Sequence, residues 1–120
     1  MSSKILRASD LLTFTGSENW YRHPLWPSIT YTDGAQYVAE VGGAYWLLDA
    51  IVSHQHDARV RAEAFQVWIL KVAADRSAEL YCLDGDNSEI TRQTITYTDF
   101  PLSEVTLWLT DNVIFLPSEF

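Results

Sequence analysis

Residues Ile29 to Gln55 read ITYTDGAQYVAEVGGAYWLLDAIVSHQ, and the reading of this stretch decides the fold. It opens on β-branched and aromatic residues that suit a pleated strand, then turns at Thr32-Asp33-Gly34 into a helix start. Asp33 stands where it can accept from free backbone amides, and Gln36 where it can answer as in a capping box. The paired Gly42-Gly43 interrupts this brief helix, and a longer one is expected from Ala44 to His54. Ala44, Leu47, Leu48, Ile51 and Gln55 recur at the spacing of a buried stripe, leaving Trp46, Asp49, Ser53 and His56 on the other face.

Working outward toward the start, Ser9-Asp10 precedes Leu11, Leu12 and Phe14, so one short helix is predicted, capped by Ser9 and stopped near Gly16. Trp20 to Pro27 carries two prolines and two tryptophans. It reads as a packed, irregular segment leading into a short strand at Ser28 to Tyr31.

Toward the other end, the charged stretch Asp57 to Glu63 closes a helical half, and the hydrophobic period then switches from about 3.6 to 2. Phe65 to Val72 alternates Phe65, Val67 and Ile69 against Gln66, Trp68 and Leu70, which predicts a strand. Ala74 to Ser77 is its turn, Glu79 to Leu83 the return strand, and Asp84 to Ser88 the next turn. Ile90 to Tyr97 is a threonine-rich third strand with one solvated face. Asp99 to Glu104 reads as a short turn of helix before a strand at Val105 to Thr110, and Asp111-Asn112 folds Val113 to Leu116 back as a hairpin. The expected architecture is α+β: short N-terminal helices packed on a C-terminal four- or five-stranded antiparallel sheet, in a single domain over residues 1–120. The pentapeptide Ile-Thr-Tyr-Thr-Asp occurs at Ile29 to Asp33 and again at Ile95 to Asp99, but the flanks differ. Two strands each ending in a capping Asp explain it better than a duplication.

Composition narrows the function classes. Sixteen acidic against eight basic residues give a formal charge of −8, which opposes binding to a phosphate backbone, so no direct nucleic-acid ligand is expected. The same charge suits a protein partner with a basic surface, such as a nucleic-acid-processing complex. Cys82 has no partner cysteine and reads as a small buried hydrophobe, consistent with a reducing, cytoplasmic compartment. The longest uncharged apolar run, Val41 to Leu48, falls short of the ~18 residues of a membrane helix, so no membrane association is expected.

Four constellations bear on chemistry. His54-Gln55-His56-Asp57 has the front of a His-x-His-x-Asp-His metal motif but continues with Ala58 and Arg59. On one helix, His54 and His56 would point roughly 200° apart, and imidazoles near a helix C-terminus are the simpler reading. Asp84, Asp86 and Ser88 fall at the ligand positions of a calcium loop, yet Glu89 and Ile95 occupy the places of its glycine and bidentate glutamate, which leaves a solvated turn. Asp49 shares a face with Ser53 and His56 and could serve as a general base, though a solvent-face carboxylate, paired with Arg22, accounts for it without chemistry. No catalytic residue, cofactor or metal is therefore expected. Among five tryptophans, Trp68 and Trp108 stand out. If both lie on one open sheet face they form an aromatic patch of the kind that anchors partners, and if helices cover that face both are core.

Tyr31-Thr32-Asp33-Gly34, Tyr45-Trp46-Leu47-Leu48-Asp49 and Val113-Ile114-Phe115-Leu116-Pro117-Ser118-Glu119-Phe120 together resemble, in that order and from about Leu11 onward, a small bacterial domain-of-unknown-function family. The resemblance implies a stand-alone cytosolic protein, often carried on plasmids, phages or other mobile elements, with no activity attached to any residue.

The leading expectation is a small acidic protein-binding module, a mobile-element-encoded inhibitor of a host defence complex in the manner of anti-CRISPR or anti-restriction proteins. Trp68 and Trp108 would make its contacts, with Asp84, Asp86 and Glu89 as an acidic turn meeting Lys or Arg. One competing expectation is a metal-dependent enzyme or binder built from Asp49, His54 and His56, joined by His23. Another is a homo-oligomer formed through Val113 to Leu116 as an open edge strand.

Overall fold

The alternating segment forms β3 (Phe65–Val72), and the strands after it follow the predicted turns: β4 (Ala78–Leu83), β5 (Glu89–Ile95), β6 (Glu104–Thr110) and β7 (Val113–Phe115). This is a computed structural model, and it describes residues 5–15 and 19–120. Asp111 and Asn112 both take left-handed backbone angles, φ 52° and 61°, the two-residue turn whose twist matches its flanking strands. Two more strands join the sheet, β1 (Trp20–Arg22) and β2 (Thr30–Thr32). β2 pairs with β7 in parallel, Tyr31 beside Ile114, and β1 pairs antiparallel with β2.

Among the described residues the sheet therefore has seven strands in the order β1-β2-β7-β6-β3-β4-β5, and it is mixed. The expectation of four or five antiparallel strands is corrected on both counts. The short strand expected at Ser28 to Tyr31 is present as β2; β1, at three residues, is too short to show a period of two, and a parallel pairing between distant segments leaves no local signal. β7 lies inside the sheet between β6 and β2, so it cannot offer the open edge proposed for self-association; the edges are β1 and β5.

The helices are α1 (Ala8–Leu11), α2 (Asp33–Val41), α3 (Tyr45–His54) and α4 (Ala58–Arg61). α1 contains Ser9 rather than starting at it, and Asp10 closes the turn by accepting from the Arg7 N–H at 3.0 Å. The predicted stop at Gly16 lies outside the described residues. α2 ends at Gly42, and Gly43 follows with φ 63°, a left-handed position that lets the chain turn directly into α3. The predicted stripe of α3 is buried throughout: Ala44, Leu47, Leu48, Ile51 and Gln55 all face the core. No helix forms between Asp99 and Glu104.

Thr32, not Asp33, caps α2, its hydroxyl accepting from the Ala35 N–H at 3.3 Å. Asp33 is drawn away by the β1 side, accepting from the Asn19 N–H at 3.2 Å and the Tyr21 hydroxyl at 3.1 Å. In the second copy of the pentapeptide no helix follows, and Thr98 closes a local turn instead, accepting from the Phe100 N–H at 3.1 Å.

The core lies on one face of the sheet. Trp68, Leu70, Leu80, Leu107 and Ile114 meet Val38, Leu47, Leu48 and Ile51 from the helices. Gln55 and Gln66 are buried in it as a reciprocal amide pair, each donating to the other at 2.9 Å, and Trp68 Nε1 donates to Gln66 Oε1 at 2.9 Å. No helix among the described residues is long and apolar enough to cross a membrane.

Candidate functional site: the open face of the sheet

Cross-strand partners share a face of a sheet, so register assigns each side chain to a side. Trp68 stands opposite Leu107, and Val67 opposite Trp108. Trp68 and Trp108 are thus on opposite faces, and the shared patch does not form. Trp68 is 1% exposed and belongs to the core. The apolar content of both faces of β3 had left the two sides indistinguishable in sequence, and only pairing separates them.

The second face carries Phe65, Val67 and Ile69 from β3, Tyr81 and Leu83 from β4, and Trp108 from β6. All six are half-buried, and none belongs to the hydrophobic core. Phe65 and Trp108 pack on one another across the strands, ring centroids 5.1 Å apart. One register row runs along this face from Leu83 through Val67 and Trp108 to Phe115. It continues to Thr32, whose neighbour Tyr31 pairs with Ile114, and ends at Trp20 on the edge strand.

The 3-10 turn Pro117–Glu119 brings the chain back over one end of this face. Phe120 sets its ring 5.5 Å from Trp108, 6.2 Å from Phe65 and 6.1 Å from Phe115, edge-on or tilted in each case. Glu119 holds the turn in place. Its carboxylate accepts from the Thr32 hydroxyl at 2.6 Å, the Gly34 N–H at 3.1 Å and the Leu116 N–H at 2.8 Å. A carboxylate accepting amides at a helix start is the favourable arrangement for the dipole there. Gly34 is needed for this approach, because a Cβ at that position would stand 2.4 Å from Glu119 Oε1 and 2.7 Å from Leu116 Cδ1. Thr32-Asp33-Gly34 and Leu116 to Phe120, far apart in sequence, are two halves of one cap.

The other end of the face is charged. Arg92 pairs with Glu89 at 2.6 Å and also with Glu79, and its guanidinium lies over the Tyr81 ring, 4.7 Å from the centroid. The two carboxylates push the Arg92 pKa up, and the hydrogen bond from Arg92 holds Glu89 below its ordinary range. Lys71 reaches Glu104 at 3.9 Å, and its Nζ lies 5.8 Å from the centroid of the Tyr81 ring.

The expected acidic turn is largely occupied by its own geometry. Asp84 accepts from the Asp86 N–H at 2.8 Å and the Ser88 N–H at 2.9 Å, which accounts for an acid there without an ion. Glu89 is engaged by Arg92. Asp86 is exposed.

Of the four residues of the metal and catalytic expectation, Asp49 and His23 come together, while His54 and His56 have other neighbours. Asp49 bonds His23, not Arg22, with Nε2 2.8 Å from Oδ1, while the Leu25 N–H donates to His23 Nδ1 at 3.1 Å. Both ring nitrogens of this buried histidine are thus engaged. His54 bonds Gln93 at 2.8 Å and packs on Trp68; His56 packs on Trp26. Among the described residues no three His, Cys, Asp or Glu side chains come together as a metal site would require. Burial pushes the Cys82 thiol up to about 12, far from a reactive thiolate.

Sequence reasoning missed Phe65, Phe115, Phe120, Glu119 and Trp20. The signal for Phe65 was present, since a strand apolar on both sides needs cover on both or leaves one open. Phe120 and Glu119 follow a proline outside any period, and nothing local marks their role.

A family model described as Family of unknown function (DUF6876) matches residues 5–120. No curated protein and no solved structure matches the chain.

Proposed function

The chain belongs to the family of unknown function DUF6876, and we propose that it is a protein-binding module whose contact surface is the open sheet face around Trp108. The observation that carries this reading is the apolar second face: among the described residues, Phe65, Val67, Ile69, Tyr81, Leu83 and Trp108 lie outside the core, and the 3-10 turn with Phe120 comes over one end of them. Contiguous apolar surface of that kind is uncommon on a chain that works alone, and aromatic residues at its centre are those that anchor interfaces.

The formal charge of −8 favours a partner with a basic surface, as nucleic-acid-processing complexes have, and speeds encounter with it. Together with the resemblance to proteins of bacterial mobile elements, it supports the specific form of the proposal: a cytoplasmic inhibitor of a host defence complex, anti-CRISPR-like or anti-restriction-like.

The test is affinity co-purification from a bacterial lysate at low and high salt, run side by side with the wild type and a Trp108→Arg variant shown by circular dichroism to be folded. A stoichiometric partner kept by the wild type and lost by the variant supports the surface. A partner retained equally by both, or no partner at either salt, overturns it.

A further inference from the structure

Beside the apolar band, at the β1 edge, the face dips into a hollow of about 340 Å³. Its walls include the rings of Trp20, Phe115 and Phe120, with Asp111 and Glu119 supplying carboxylates and Thr110 a hydroxyl. Among the described residues no Lys or Arg lines it. Trp20 and Phe120 stand at the rim 64% and 76% exposed, unusual for rings of that size. Glu119 is fixed by its three donors before anything binds, and the tight turn between β6 and β7 sets the backbone of the exposed Asp111 at the wall of the hollow.

Aromatic faces attract a cation through their quadrupole, and a carboxylate beside them adds direct charge complementarity; the combination is how ammonium and guanidinium groups are recognised. An anion would meet two carboxylates and no base. A purely apolar ligand would cover the Asp111 carboxylate, at a desolvation cost.

We infer that this hollow is a receptor for a basic side chain, taking the ammonium or guanidinium head of a Lys or Arg presented by the protein partner, between the Trp20 and Phe120 rings and against Asp111. This rests on the reading of the chain as a protein-binding module and names the chemistry by which one end of its surface selects a partner. In that arrangement Phe120 serves two contacts at once, closing the aromatic cluster around Trp108 and forming one wall of the hollow.

The test uses Nα-acetyl-lysine amide and Nα-acetyl-arginine amide as probes, with Nα-acetyl-norleucine amide as the neutral control. Each is titrated into labelled protein while the Trp20 and Trp108 indole N–H resonances are followed. The expected result is a saturable shift of Trp20 by at least one basic probe, with a Kd on the order of 1 mM, and no saturable shift with norleucine. Asp111→Asn keeps a residue that tolerates the left-handed turn, and Phe120→Ala removes an exposed ring; each should weaken the basic probe about fivefold or more. Equal binding of norleucine, no saturable shift of Trp20, or unchanged affinity in both variants overturns the inference. The probe titration reads Trp20 and the co-purification reads Trp108→Arg, so a failure of the hollow is distinguishable from a failure of the binding surface.

Discussion

Thr32 and Glu119, separated by 87 positions, share a hydrogen bond of 2.6 Å that closes the start of α2 with a carboxylate from beyond the last strand. Within a single helix the answering acid of a capping box sits three residues after the cap. Here that place holds Ala35, and the acid comes from the far end of the sequence. Glu119→Ala removes an acceptor for three donors, and the expected loss is about 2–3 kcal/mol, read from urea denaturation. An unchanged midpoint would show that water replaces the carboxylate at no cost.

Gly34→Ala tests the same cap from the other side. Alanine favours helices by about 1 kcal/mol over glycine, so a solvated position would gain stability. The new Cβ would collide with Glu119 and Leu116, and the expected outcome is a loss. In a Glu119→Ala background the penalty should shrink, because the nearest colliding atom is gone; equal penalties in both backgrounds would refute the contact.

Trp68→Ala and Trp108→Ala should separate cleanly. Trp68 is buried and donates to Gln66, so its loss is expected to cost about 3–5 kcal/mol. Trp108 lies outside the core, and its replacement should cost about 1 kcal/mol and leave the thermal transition cooperative. The reverse order of stabilities would mean that the faces of β3 and β6 have been misassigned.

Acid should weaken the charged end of the open face. Arg92 holds Glu89 below its ordinary value of 4.5, so the stabilisation from Glu89 is present above that pH and is lost as pH falls through the lower folded value. Arg92→Gln removes the cause of the shift. Stability measured from pH 6 downward should therefore fall less steeply in that variant below about pH 4.5; parallel profiles would contradict the pairing.

Cys82 should resist alkylation in the folded protein. With its thiol pushed up to about 12 by burial, iodoacetamide at pH 8 is expected to label it only after denaturant is added. Rapid labelling of the native chain, followed by mass spectrometry, would place the thiol outside the core.

What was legible in sequence was whatever repeats locally. The stripe of α3 and the alternation of β3 each recur often enough to name both element and boundary, and Phe65–Val72 and the turn at Asp111-Asn112 came out as read. What was not legible depends on partners far along the chain. Asp33 reads as a cap until Tyr21 and Asn19 claim its carboxylate. Trp68 and Trp108 read alike until the pairing of Val67 with Trp108 puts them on opposite faces. Asp49 lies on the solvent face as read, but the partner that reaches it is His23, 26 positions earlier, and not Arg22.

The parallel pairing of β2 with β7 has a bearing on how the molecule is made. During synthesis, residues 20–41 leave the ribosome long before residues 113–119, and until those emerge the β1–β2 ribbon has no sheet to join and the Gly34 amide lacks its carboxylate. Contacts closed over such long loops are slow to form, so the early third of the chain spends its first moments as an exposed hairpin waiting for the last strand. A nascent chain stalled short of Val113 would carry that waiting ribbon permanently, a ready substrate for chaperones and proteases.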